Sequence, residues 1–92
     1  MKQYLMKLFI AGDSSRSERA IRNLKQLCDK VMINDYELMI IDVLEQPHIA
    51  EEEKIIATPT LLKLSPYPQR RIIGDLSDSD KLLGILGVNN EQ

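Results

Sequence analysis

Ninety-two residues, 43% of them hydrophobic and 28% charged, suit one compact domain over residues 1–92 and leave no room for a second domain with its own active site. Twelve basic and fourteen acidic side chains give a net charge of −2, which argues against bulk electrostatic attraction to nucleic acid. One cysteine, Cys28, excludes an intrachain disulfide and a Cys-x-x-Cys redox pair, and with a single histidine, His48, it cannot supply the usual ligand set of a zinc site.

Tyr4 to Ala11 is an almost continuous apolar run broken by Lys7, the pattern of a central strand covered on both faces. Gly12-Asp13-Ser14-Ser15 supplies a turn, and Ser15 with Glu18 has the spacing of a capping box that opens a helix. Ala20, Ile21, Leu24, Leu27, Cys28 and Val31 follow at helical spacing, so one stripe of that helix faces a core. Asn34-Asp35 then turns the chain into a second strand, Tyr36 to Val43. Strand, amphipathic helix and strand in this order predict a crossover between parallel strands. Pro47 fits the first turn of a second helix, where its missing N–H has no partner to lose. Glu51, Glu52 and Glu53 are expected early in that helix, where the macrodipole favours negative charge. The helix must end before Pro59, because the residue ahead of a proline is pushed out of the helical region.

Thr60 to Leu64 reads as a third strand, Ser65-Pro66-Tyr67-Pro68 as a turn, and Arg70 to Ile73 as a fourth strand, together an antiparallel hairpin closed by Gly74-Asp75. Ser77 with Asp80 repeats the capping signal, and Leu82, Leu83, Ile85 and Leu86 form a last helical stripe that Gly84 and Gly87 weaken. Asn89 to Gln92 are expected to fray. The order βαβαββα predicts an α/β, thioredoxin-like fold on a mixed four-stranded sheet. No segment approaches the roughly 20 apolar residues that a membrane span needs, and no signal-peptide pattern opens the chain, so the expectation is a soluble, cytoplasmic protein.

Thioredoxin-like enzymes keep their chemistry where the first strand meets the first helix, since a helix N-terminus lowers the pKa of a thiol there. Here that loop reads Gly12-Asp13-Ser14-Ser15-Arg16-Ser17, without a cysteine, and Cys28 lies on the apolar stripe of the helix as a small buried hydrophobe. Disulfide oxidoreductase chemistry is therefore excluded, and no catalytic, cofactor or metal residue is expected elsewhere. His48 has no partner for general base work, and Asp13, Asp42 and Asp75 near strand ends lack a phosphate-cradling motif. Thr58-Pro59-Thr60 falls where thioredoxin-like folds place a cis-proline facing that loop, which makes Pro59 a structural candidate, with both isomers open. RNA binding lacks its aromatic platform, since Phe9, Tyr4, Tyr36 and Tyr67 are the only aromatic residues. Arg70 and Arg71 make a small basic spot beside Lys63 that suits an acidic protein partner.

A more specific signal comes from motifs in register. Phe9-Ile10-Ala11-Gly12, Ile41-Asp42-Val43-Leu44, Glu45-Gln46-Pro47, Ala50-Glu51-Glu52-Glu53-Lys54-Ile55, Ala57-Thr58-Pro59-Thr60-Leu61 and Ile72-Ile73-Gly74-Asp75-Leu76-Ser77 occur in order with short gaps. Over residues 4 to 83 this series resembles the KaiB family of the cyanobacterial circadian clock and its relatives. The resemblance implies a non-enzymatic regulator that binds the hexameric ATPase KaiC, and in clock systems also sequesters KaiA. It implies relatives that serve stress adaptation without KaiA, and members that switch between a tetrameric ground-state fold and a thioredoxin-like monomer, so a homodimer or tetramer is among the expected states. Lys54 is the implied contact to the ATPase, followed by Arg71, with Arg70, Lys63, Arg19 and Tyr4 completing a protein-binding set and Gly74 and Asp75 joining Pro59 as structural residues. Lys54 also admits a plain reading, a helix-surface lysine paired with a nearby glutamate.

The chain departs from the clock members in three places: the short Ser65-Pro66-Tyr67-Pro68 loop, the lack of an acidic tail, and Gly84-Ile85-Leu86-Gly87 in the last segment. These bear on fold switching, tetramer formation and KaiA recruitment, and leave ATPase binding untouched. The alternative reading is a KaiB-like sensor or adaptor domain of a two-component histidine kinase pathway, whose kinase would compete for the same ATPase.

Overall fold

A computed structural model of the chain describes residues 3–87. Seven elements follow in the expected order: β1 (Tyr4–Ile10), α1 (Ser15–Val31), β2 (Tyr36–Asp42), α2 (Pro47–Glu52), β3 (Thr60–Ser65), β4 (Arg70–Ile73) and α3 (Ser79–Leu86). The strands lie in the order β2-β1-β3-β4. β1 is parallel to β2, from Tyr4 opposite Tyr36 to Ile10 opposite Asp42, and antiparallel to β3, while β4 returns antiparallel on β3. This is the mixed sheet of a thioredoxin-like α/β fold. The expected fraying of Asn89 to Gln92 lies outside the described residues.

Side-chain alternation along the strands sends the apolar residues of the sheet into two cores. On one face Met6, Leu8, Leu61 and Ile72 meet Ala20, Leu24 and Cys28 of α1 and Leu82 and Leu86 of α3. On the other, Phe9, Ile41 and Leu62 are covered by Ile49 of α2 and by Ile55 just beyond it. α1 owes its length to a continuous apolar stripe, whereas the single turn and a half of α2 cannot persist without packing and capping from outside.

The helix ends differ from the sequence reading in physical ways. α1 is capped by Ser14 and not Ser15: the Ser14 hydroxyl accepts from Ser17 N at 3.1 Å, and the Ser17 hydroxyl closes the contact at 3.0 Å. α3 is capped by Asp78, whose carboxylate accepts from Lys81 N at 3.1 Å, and not by Ser77. Gly87 does not weaken α3 but ends it, in the left-handed conformation (φ 74°) that a glycine C-cap provides. Glu51 and Glu52 occupy the last turn of α2 and Glu53 is its C-cap, so these carboxylates sit at the negative end of the helix dipole, opposite to the expectation. Among the described residues no helix is long and apolar enough to cross a membrane.

Candidate protein-interaction site

The loop that carries chemistry in thioredoxin-like enzymes is here a structural junction. Gly12 takes φ +70°, and its N–H donates to Asp42 Oδ1 at 3.0 Å, joining the ends of β1 and β2. Cys28 is fully buried three turns down α1, and burial, with a smaller push from the Asp29 carboxylate, raises its thiol pKa to about 12. The thiol is therefore protonated and shielded at neutral pH.

The second junction lies where α2 gives way to β3. The chain leaves α2 through two hydrogen bonds, Ile55 N to Ala50 O at 2.8 Å and Lys54 N to Glu51 O at 3.2 Å. Together they make a Schellman motif, in which the residue after the C-cap must adopt a left-handed backbone. That residue is normally glycine; here it is Lys54, at φ 57°. Two cations from the sheet reach this bend. Lys7 on β1 stands opposite Leu62 on β3, which stands opposite Arg71 on β4, so one cross-strand row holds Lys7 and Arg71 on either side of Leu62. Lys7 Nζ pairs with Glu53 Oε2 at 3.3 Å. Arg71 Nη1 donates to Lys54 O at 3.1 Å, and Nη2 to Glu53 O at 3.0 Å. The charge partner of Glu53 is thus Lys7, and the Lys54 side chain stands exposed on the bend. Ile56, two residues on, is 87% exposed, and Ile73, on the same face of β4 as Arg71, is 48% exposed. Lys54, Ile56 and Ile73 give this end of the molecule a mixed cationic and apolar surface.

Behind it, the Thr58–Pro59 peptide is cis, as are Ser65–Pro66 and Tyr67–Pro68. Pro59 is buried, and its carbonyl accepts from Gly74 N at 2.9 Å. Gly74 needs φ +126°, a conformation closed to L side chains, and so delivers Asp75 to α1. There Arg19 Nε meets Asp75 Oδ2 at 3.3 Å, and Asn23 Nδ2 donates to Asp75 O at 2.9 Å. Hydrogen bonding from Ser77, then from Arg19, holds the Asp75 carboxyl below the usual carboxylate range.

The residues expected to act together therefore divide into separate places. Arg70 and Lys63 pair across β3 and β4 on the α1 and α3 face, whereas Arg71 points to the opposite, α2 face, so the basic spot expected from their proximity in sequence does not form. Lys63 is only 3% exposed, its stem packed in the sheet, and burial, with a smaller contribution from Arg70, lowers its pKa. Tyr4 packs against the α1 core near the far end of the sheet, beside the β3 terminus at Ser65. Arg19 is engaged by Asp75. Sequence reasoning missed Lys7, Ile56 and Ile73. Lys7 was visible as the one charge in the apolar run of β1, but its alignment with Arg71 depends on strand register.

A family model described as the KaiB domain matches residues 7–88. The chain belongs to the KaiB family. Over 82 residues it is 52% identical to the circadian clock oscillator protein KaiB of Prochlorococcus marinus subsp. pastoris, a match spanning 89% of this chain and 77% of that protein. It is 51% identical to the protein of the same description from Synechococcus elongatus, over 89% of this chain and 80% of that one. Among solved structures, the N-terminal domain of Synechococcus elongatus SasA superposes with a TM-score of 0.77 at 24% identity, covering 100% of this chain and 90% of that one. Mitochondrial thioredoxin 3 from Saccharomyces cerevisiae gives 0.74 at 24% identity, over 96% and 81%. These two likenesses establish the thioredoxin-like fold of this KaiB family member, and the KaiB relatives establish its kinship.

Proposed function

We propose that this chain is a non-enzymatic, cytoplasmic regulator that binds a KaiC-type hexameric ATPase and modulates its phosphorylation and ATPase state, in a circadian-clock or stress-adaptation system. The observation that carries the reading is the KaiB match over residues 7–88, with about half of the aligned residues identical to proteins described as circadian clock oscillator KaiB. The loop at Gly12 carries no thiol, and its Gly12 N–H is held by Asp42 across the strand ends, which supports a role other than thiol chemistry. Lys54 is the residue proposed to meet the ATPase, with Ile56 and Ile73 beside it as apolar contacts. KaiA or a histidine kinase competing for the same ATPase would be further partners, and assembly into dimers or tetramers belongs to the same proposal.

A sensor or adaptor domain of a two-component histidine kinase pathway is the second reading, to which the superposition on the SasA domain contributes the shared fold alone. The 24% identity of that pair against 52% for a KaiB relative ranks it second.

The test is Lys54→Glu against the KaiC-type ATPase of the same source. Binding should weaken at least tenfold while the melting temperature stays close to that of the parent protein. Undiminished binding by the variant would move the interface away from the α2–β3 bend.

A further inference from the structure

Arg71 was a candidate for direct contact with the partner, and the geometry gives it a different task. Its guanidinium spends two donors on successive backbone carbonyls, Glu53 O at 3.0 Å and Lys54 O at 3.1 Å. Those carbonyls lie just past the end of α2, where a helix leaves acceptors without partners and its dipole favours positive charge. Lys7 reaches the same turn from the other side of Leu62, through the Glu53 carboxylate. The bend itself carries a lysine in the left-handed conformation that glycine would adopt freely. A non-glycine residue stays in such a conformation only when its surroundings over-determine it. Here the surroundings are a fork of two hydrogen bonds from two guanidinium nitrogens, a fixed planar geometry that the single nitrogen of a lysine ammonium does not reproduce.

We infer that Arg71 is a positioning residue: from β4 it clamps the left-handed bend after α2 and so fixes the direction in which Lys54 is presented to the partner. This rests on the proposal that Lys54 meets the ATPase. The clamp joins the α2 end to an edge strand, so the orientation of Lys54 follows the sheet and not the short helix that precedes it.

Two measurements on the full chain separate the clamp from the functional reading. The first is amide hydrogen exchange in the protein alone, with Arg71→Lys and Arg71→Ala. Both variants should speed exchange at Ile55 N, which bonds Ala50 O across the bend, by tenfold or more, while Leu8 and Leu61 in the sheet exchange as before. Unchanged exchange at Ile55 overturns the clamp. The second is affinity for the ATPase ring in a double-mutant cycle. Arg71→Lys keeps the charge and should still lose affinity, at least fivefold. In a Lys54→Ala background, Arg71→Ala should cost less than a further twofold. Full affinity in Arg71→Lys, or losses that simply multiply, means that Arg71 does not act through Lys54 and overturns the inference. A parent protein that binds no ring overturns the functional reading instead, and exchange at Ile55 still decides whether Arg71 holds the bend.

Discussion

Asp42 and Gly12 are joined at 3.0 Å, carboxylate to backbone N–H, across the tops of two parallel strands. The same oxygen, Oδ1, accepts from Leu44 N at 3.0 Å, so one side chain ends β2, turns the chain toward α2 and secures the loop that opens α1. In a thioredoxin-like enzyme this loop presents a thiolate. Here the Gly12 N–H is taken by Asp42, and a Cβ at Gly12 would stand 3.1 Å from Leu44 Cδ1 in addition to the strain of φ +70°.

Asp42→Ala leaves two backbone donors without their acceptor. Hydrogen bonds to a charged group are worth more than neutral ones, and partial solvent access softens the loss, so the expected cost is about 1–2 kcal/mol. Urea denaturation followed by far-UV circular dichroism measures it. A midpoint identical to that of the parent protein would show that water replaces the carboxylate at no cost.

The order of all seven elements, the apolar stripe of α1 and the burial of Cys28 were legible, because they rest on periodicity and on turn residues. The caps were not, because Asp13-Ser14-Ser15 and Ser77-Asp78-Ser79 each offer neighbouring side chains that cap equally well in principle. The end of α2 escaped notice because no glycine marks it; Lys54 fills the left-handed position. Adjacent strand residues face opposite ways, which separates Arg70 from Arg71, and that much followed from the two-residue period of a strand. Which of the two faces α2 depended on register, and the row from Lys7 through Leu62 to Arg71 is a long-range pairing that local pattern does not encode.

Lys54→Gly separates stability from binding. Glycine adopts the left-handed bend without the cost that an L side chain carries, offset in part by its larger unfolded-state entropy. Folding stability should stay level or rise by up to about 1 kcal/mol, while affinity for the ATPase falls. A clear loss of stability in chemical denaturation would mean that the Lys54 side chain supports the fold.

The buried thiol gives an alkaline signature. The Cys28 pKa rises from an ordinary 9.0 to about 12, so the fold prefers the neutral thiol. Its contribution to stability is complete below the unfolded value and is lost as pH climbs from about 9 toward 12. Cys28→Ala should therefore show a shallower alkaline decline than the parent protein. At pH 8 a thiol-specific reagent should modify the unfolded chain at least a hundredfold faster than the native one. Rapid labelling of the native protein would contradict the burial of α1.

Asp75 gives the acid counterpart. Its folded pKa is depressed by Ser77 and Arg19, so its contribution is present above the ordinary value of 3.8 and is lost as pH falls below it, toward the folded value. Asp75→Asn should flatten the acid limb of the stability profile below about pH 4 relative to the parent protein. Parallel profiles for the two proteins would show that Asp75 interacts equally in the folded and unfolded chain.

Recognition of an ATPase ring by this thioredoxin-like protein can be read in a single titration. The chain is added to the KaiC-type hexamer of its own source with ATP and, separately, with ADP, while binding and ATP hydrolysis are followed together. Binding should be saturable and differ between the two nucleotides, with a change in hydrolysis that follows occupancy. A well-folded protein that binds the ring in neither nucleotide state would rule out that recognition.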